Sequence, residues 1–217
     1  MTKTAAPSER TRVKRYNWLA DYRPETLHAV LDATPFCHVG YVHDGAPVTT
    51  PTMQWRDGDR IYWHGSSASR FLRNASEHQV CVSVSLVDGL VMARSAYNCT
   101  LNYRSAMIFG TATKVADAAE KEHRLSQFVD RLVPGQWERL RPVTSQELKA
   151  TTVLSLDLAE ASVKLRDGPS QDDEADYDFP VWAGVIPIHY VIGEPEADPR
   201  NLPDVVMPNE MRAFRIG

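Results

Sequence analysis

The stretch Arg60-Ile61-Tyr62-Trp63-His64-Gly65-Ser66-Ser67-Ala68-Ser69-Arg70-Phe71-Leu72 puts an imidazole, three serine hydroxyls and a guanidinium in one short run. Ile61 to Trp63 reads as a strand, and a helical pattern opens at Arg70. A strand that empties through glycine and serine into a helix start leaves backbone N–H groups without partners. With serine hydroxyls and Arg70 alongside, those groups would make a seat for a phosphate. The same residues would equally build an ordinary turn in which Ser67 or Ser69 caps a helix. His64 could touch a ligand, or simply bond a backbone group in the turn.

The flanking elements must position this stretch. Pro24 begins a helix whose stripe is Leu27, Val30 and Leu31, ending near Thr34-Pro35. Phe36 to Val42 and Pro47 to Trp55 read as strands joined by the Asp44-Gly45 turn, and Asp57-Gly58 leads into the strand at Arg60. Gln79 to Val87 alternates around valines, and Asp88-Gly89 reads as a turn into a partner strand, Leu90 to Arg94. Tyr103 to Val115 is a further strand, with Gly110 either a bulge or a point of close approach. Asp117 opens a helix with the stripe Leu125, Phe128, Val129 and Leu132, and Thr144 to Glu147 has capping-box spacing. Thr152 to Leu158 and Ala161 to Arg166 read as the late strands, with an acidic loop at Asp172–Asp178. Short strands joined by Asp-Gly turns, with helices at the margins, favour a mainly β fold: a small barrel with peripheral helices.

Composition narrows the function. The chain has 217 residues, 43% hydrophobic and 24% charged, which suits one full-sized domain. A net charge of -4 argues against a general nucleic-acid binder. Residues 1–15 concentrate basic side chains (Lys3, Arg10, Arg12, Lys14, Arg15) and read as a flexible tail. Residues 189–217 are proline-rich and read as an extended arm. No apolar run is long enough to span a bilayer, and no signal-peptide core follows Met1, so no membrane partner is expected. Cys37, Cys81 and Cys99 form no C-x-x-C pair, and a reducing cytoplasm fits them best. No His/Cys/Asp cluster has zinc spacing, so no metal site is expected.

Several short motifs occur in a telling order: Cys37-His38-Val39-Gly40, Pro51-Thr52, His64 to Arg70, Asp88-Gly89-Leu90-Val91, Ala93-Arg94-Ser95 and Asn102-Tyr103-Arg104-Ser105. Phe109-Gly110, Lys164 to Pro169 and Pro180 to Val185 follow. In this ordered set, spanning about residues 16–188, the chain resembles the FMN-binding split-barrel proteins of the pyridoxamine 5'-phosphate oxidase-like superfamily. The nearest likeness is to the flavin-nucleotide-binding branch that includes nitroimidazole-resistance proteins.

The resemblance implies a six-stranded antiparallel split β-barrel working as a homodimer, with FMN held in grooves between the two chains. By position, Thr50, Pro51 and Thr52 would run along the isoalloxazine edge. His64, Gly65, Ser66, Ser69 and Arg70 would grip ribityl and phosphate. Arg104, Lys164 and Trp182 would approach the cofactor, and His64 and Tyr103 are the candidate proton donors for a small organic substrate. Each has a plainer role available: Tyr103 and Arg104 at the dimer interface, Trp182 in the core, Lys164 on a solvated strand face.

Pyridoxamine phosphate oxidases carry basic residues on the strand that here runs Pro47 to Met53, which has none, so vitamin B6 oxidation is not expected. The expected activity is an FMN-dependent oxidoreductase, with nitroreduction a specific version. The alternative is a non-catalytic binder of flavin, deazaflavin or haem. A haem would draw its axial ligand from His64, His38 or His78. A deazaflavin would need the cations Arg70, Arg94, Arg104, Lys164 and Arg166.

Overall fold

The computed structural model describes residues 4–217; Lys3 lies outside them. Among the described residues, eleven strands form two antiparallel sheets, with four α-helices at the margins. The larger sheet has the order β1 (Ala20–Asp21), β10 (Ala161–Arg166), β7 (Thr100–Thr111), β6 (Gln79–Met92), β2 (Phe36–His43) and β3 (Ala46–Met53). β11 (Gly184–Pro187) pairs with the far end of β6. The smaller sheet runs β4 (Trp55–Asp57), β5 (Arg60–Ser66), β9 (Thr151–Asp157) and β8 (Thr113–Lys114).

The mainly β architecture with peripheral helices is as expected, but the six-strand count is not. Two sheets of seven and four strands face each other, and no strand pairing closes them into one barrel among the described residues. One reason is Gln54. Its buried side-chain amide donates to the carbonyls of Leu31 (2.8 Å) and Thr34 (2.7 Å), so the expected single strand Pro47 to Trp55 breaks there and changes sheets.

The second correction concerns Asp88-Gly89, expected as a turn. β6 runs straight through it for 14 residues with a bulge between Val87 and Gly89, because β7 pairs along its whole length. Asp44-Gly45, in contrast, does turn, with both residues at positive φ (50° and 76°), which joins β2 to β3 as a tight hairpin.

The main core lies between the sheets. Val39, Ile61, Trp63, Val82, Ile108 and Leu154 are fully buried there, with α1 (Pro24–Asp32) and α2 (Arg70–Ala75) adding Leu31 and Leu72. A second cluster, Trp55, Tyr62, Val115 and Val153, lies on the other side of the small sheet beneath α3 (Ala118–Leu132). Of the two roles open to Gly110, bulge or close approach, it has the second: a Cβ there would stand 2.8 Å from Leu156 Cδ1.

Residues 10–13 and the C-terminal segment are both tied to the domain. Thr11 is buried, the Val13 N–H donates to Tyr22 Oη (2.8 Å), and the Arg10 guanidinium sits over the Phe109 ring. At the other end the Gly217 N–H donates to the Ala33 carbonyl (2.9 Å), and Glu210 pairs with Arg139 (3.1 Å). No helix is long and apolar enough to cross a membrane among the described residues.

Candidate functional site

Strand period places His64. Ile61 and Trp63 point into the main core, so Tyr62 and His64 leave β5 on the opposite face, beneath α3. α3 forms there because Asp117 caps it, accepting the Glu120 N–H at 2.8 Å, and because Leu125, Phe128 and Val129 recur at helical spacing. It is fastened over the sheet by Arg124, whose guanidinium covers the Tyr62 ring at 4.7 Å and pairs with Asp57.

Between α3 and the segment leading to α4 (Ser145–Ala150) lies an open cleft of about 500 Å³. Its apolar wall is Leu125, Phe128, Val129, Trp137, Leu140 and Val143, and His64 is the one histidine that lines it. The His64 ring sits 4.6 Å from that of Phe128 and 5.8 Å from that of Trp55, centroid to centroid. Burial pushes the His64 pKa below the ordinary histidine value, so the ring is neutral at pH 7 and keeps a lone pair. Its Nδ1 is buried with no hydrogen-bond partner. An unsatisfied buried polar atom costs about 1–3 kcal/mol, and the apolar wall offers it nothing.

His64 is therefore parted from the serine loop it was expected to join. Gly65 lies on the α2 side, so close to Leu72 that a Cβ would stand 3.0 Å from its Cδ1. Part of the expected set of free amides is taken up within the loop, while α2 opens without a side-chain cap and keeps its first-turn N–H groups available. The Ser67 N–H donates to the Ala150 carbonyl (2.7 Å), that of Ala68 to Ser66 Oγ (3.2 Å), and that of Ser69 to the Ser66 carbonyl (2.9 Å). Neither Ser67 nor Ser69 caps α2 through its side chain. What the loop presents outward is hydroxyls and the exposed Arg70, which has no carboxylate partner among the described residues. Arg70 can thus still give a charge-assisted bond to an anion.

Thr50, Pro51 and Thr52 lie on β3, at the free edge of the large sheet, where proline's missing N–H breaks no ladder. Tyr103, Arg104, Lys164 and Trp182 belong elsewhere. β2 and β6 stand between β3 and β7, three inter-strand steps of about 14 Å in all. One chain thus carries two separate groups: the β3 edge with the serine loop, and the β7–β10 face with Trp182.

Several of the expected cofactor cations are committed within the chain. Arg104 makes a two-pronged pair with Asp88 (2.9 and 2.7 Å). Arg94 pairs with Asp172, whose side chain is wholly buried, so the acidic loop is pinned to the sheet. Arg166 donates to Asn102 and to the Pro169 carbonyl. Lys164 has only the Tyr16 ring, 5.5 Å away. Trp182 is 65% exposed rather than in the core, its ring against Gly184. His78 bonds the Ser76 carbonyl through Nδ1 at the surface, and His38 packs edge-on against Phe36. The cleft wall was not foreseen as a site. Its signal was the α3 stripe, which in sequence is no different from ordinary core.

Two antiparallel sheets thus carry the candidate site residues in two separate groups: the free β3 edge with the serine loop, and the β7–β10 face with Trp182. The family model described as pyridoxamine 5'-phosphate oxidase matches residues 23–165. The chain belongs to the pyridoxamine 5'-phosphate oxidase family, as its motifs indicated. It is 57% identical to the flavocytochrome Anf3 from Azotobacter vinelandii, with a TM-score of 0.97 over 99% of this chain and all of that one. It is 35% identical to the FAD and haem binding protein from Mycobacterium smegmatis, with a TM-score of 0.86 over 91% of this chain and 97% of that one. A Bacteroides thetaiotaomicron protein named for 5-nitroimidazole antibiotic resistance is 17% identical, with a TM-score of 0.57 over 67% of this chain and 85% of that one, and shares the fold alone. No curated protein matches the chain.

Proposed function

We propose that this chain is a redox protein that holds a flavin and a haem and works as a homodimer. The observation that carries the reading is its 57% identity, over essentially its whole length, to a flavocytochrome. The 35% identical relative, named for FAD and haem, supports it from a second direction. When bound, a flavin accepts electrons in pairs and releases them singly, and a haem takes them one at a time. FAD stands beside FMN as the flavin, on the strength of that second relative's name.

The chain's own residues have definite tasks in this reading. Arg70, with the hydroxyls of Ser66 and Ser69, holds a flavin phosphate. The β3 edge at Thr50–Thr52 offers backbone groups to the ring. Tyr103, Lys164 and Trp182 come from a second copy, because within one chain they lie too far from β3. Arg104 remains with Asp88. Tyr103 replaces His64 as the proton donor toward a small organic substrate, since the His64 ring faces another cleft. Residues 16–188 form the flavin-binding unit, and 189–217 an arm fastened across it. Three free cysteines suit a reducing cytoplasm.

The test is to denature the protein as purified and weigh what it releases. Stoichiometric FAD or FMN is expected. A protein that releases no flavin and takes up neither when offered them would overturn the flavin half of the reading.

A further inference from the structure

We infer that the cleft beneath α3 is the haem seat and that His64 supplies the axial ligand. The inference rests on the flavin-and-haem reading above and adds to it a location and a residue. Three observations on this chain point there.

The first is shape and lining. A cleft of about 500 Å³ lies within the range of roughly 300–1,000 Å³ typical of organic cofactor sites. Its wall of Phe128, Trp137, Leu125 and Leu140 is apolar and partly aromatic, as a flat hydrophobic macrocycle requires. Phe128, Trp137 and Leu140 come from α3 and the segment after it.

The second is the imidazole. Among the described residues His64 makes no hydrogen bond, and its Nδ1 is buried without a partner. The ring nitrogen left for a ligand in the cleft is Nε2, which is not among the buried unpartnered atoms and makes no hydrogen bond among the described residues. The other two histidines considered as ligands do not line this cleft: His78 bonds the Ser76 carbonyl at the surface, and His38 packs edge-on against Phe36 on β2.

The third is the rim. Arg141 lines the cleft and is largely exposed, donating to the Pro142 carbonyl (3.1 Å) and paired with Glu147, itself part of the capping box that starts α4. A guanidinium at the mouth of an apolar cleft can turn to a carboxylate entering with a ligand. Haem carries two propionates beside an apolar ring, and the cleft supplies the matching pair of environments.

The test uses the full chain produced in haem-supplied cells. Haem is counted per chain by the pyridine haemochrome method, with the Soret band and the electron paramagnetic resonance spectrum recorded. Wild type should hold about one haem per chain. His64→Ala should lose haem at least 10-fold while retaining its flavin, and His64→Gly should regain a Soret band when imidazole is supplied. His38→Ala and His78→Ala should match wild type. Unchanged haem content and spectra in His64→Ala, or loss of haem in His38→Ala with His64→Ala intact, would overturn the assignment while leaving the haem reading standing. A wild-type protein that neither contains nor takes up haem would overturn the reading and the assignment together. Retained flavin in His64→Gly shows that the variant is folded, so failure of imidazole to restore any Soret band there would also count against His64.

Discussion

Arg104 and Asp88 face each other across β7 and β6, joined through two nitrogens and two oxygens at 2.9 and 2.7 Å. Arg104 was expected at the cofactor, yet Asp88 occupies its donors. Arg70, on the far side of the sheet, has no such partner. The two arginines should therefore behave differently. Arg70→Ala should weaken flavin binding by about 10- to 100-fold, the worth of one charged hydrogen bond. Arg104→Ala should leave flavin affinity within about threefold of wild type and lower stability by about 1 kcal/mol, since both partners remain partly solvated. Flavin titration and urea unfolding of the two variants check this; the reverse pattern would reassign them.

The bulge at Gly89 makes a second prediction. A Cβ there would lie 3.1 Å from both the Ile186 carbonyl oxygen and Val185 Cγ1. Gly89→Ala should push β11 off β6 and lower stability by about 1–2 kcal/mol. An unchanged urea midpoint would mean that β11 gives way freely.

That glycine also shows what could be read in advance. Asp44-Gly45 and Asp88-Gly89 are the same dipeptide, and only the first turns. The difference is β7, the next strand in the chain, which pairs antiparallel with β6 and holds it extended past Gly89, a pairing that the dipeptide itself does not reveal. The helices at Pro24 and Asp117, the capping box at Thr144 and the strand Ala161–Arg166 were legible because their signals are local. His64 was legible as an unusual residue but not in its direction. Alternation set it opposite Trp63, but what covers that face is α3, which starts more than fifty residues later. The cations were visible as charges, while their pairing with Asp88 and Asp172 was not.

Thiol reactivity should follow burial. Desolvation pushes the Cys37 thiol up to about 12, whereas Cys99 is exposed. Iodoacetamide at pH 8 on the native protein should label Cys99 first and leave Cys37 unmodified until unfolding. Mass mapping of the labelled peptides reads this directly, and equal rates at the two sites would contradict the buried placement of Cys37.

Acid should act through Asp21. The Arg23 guanidinium holds its carboxyl well below the usual carboxylate range, helped by the Arg23 N–H and the Thr26 hydroxyl. A carboxylate depressed in the folded state adds stability that is complete above its unfolded pKa of about 3.9 and is lost as pH falls toward the folded value. Wild type should lose melting temperature below about pH 4 more steeply than Asp21→Asn, with the two curves parallel above pH 6. Parallel curves throughout would remove Asp21 from the acid response.

The most direct measurement is the visible spectrum of the protein as purified, taken without oxygen before and after one addition of reductant. A Soret band together with two oxidised-flavin bands is expected. On reduction the flavin bands should bleach and the Soret band should shift in the same sample. A colourless protein that takes up neither cofactor would contradict the account, leaving the fold and family intact and the redox function without support.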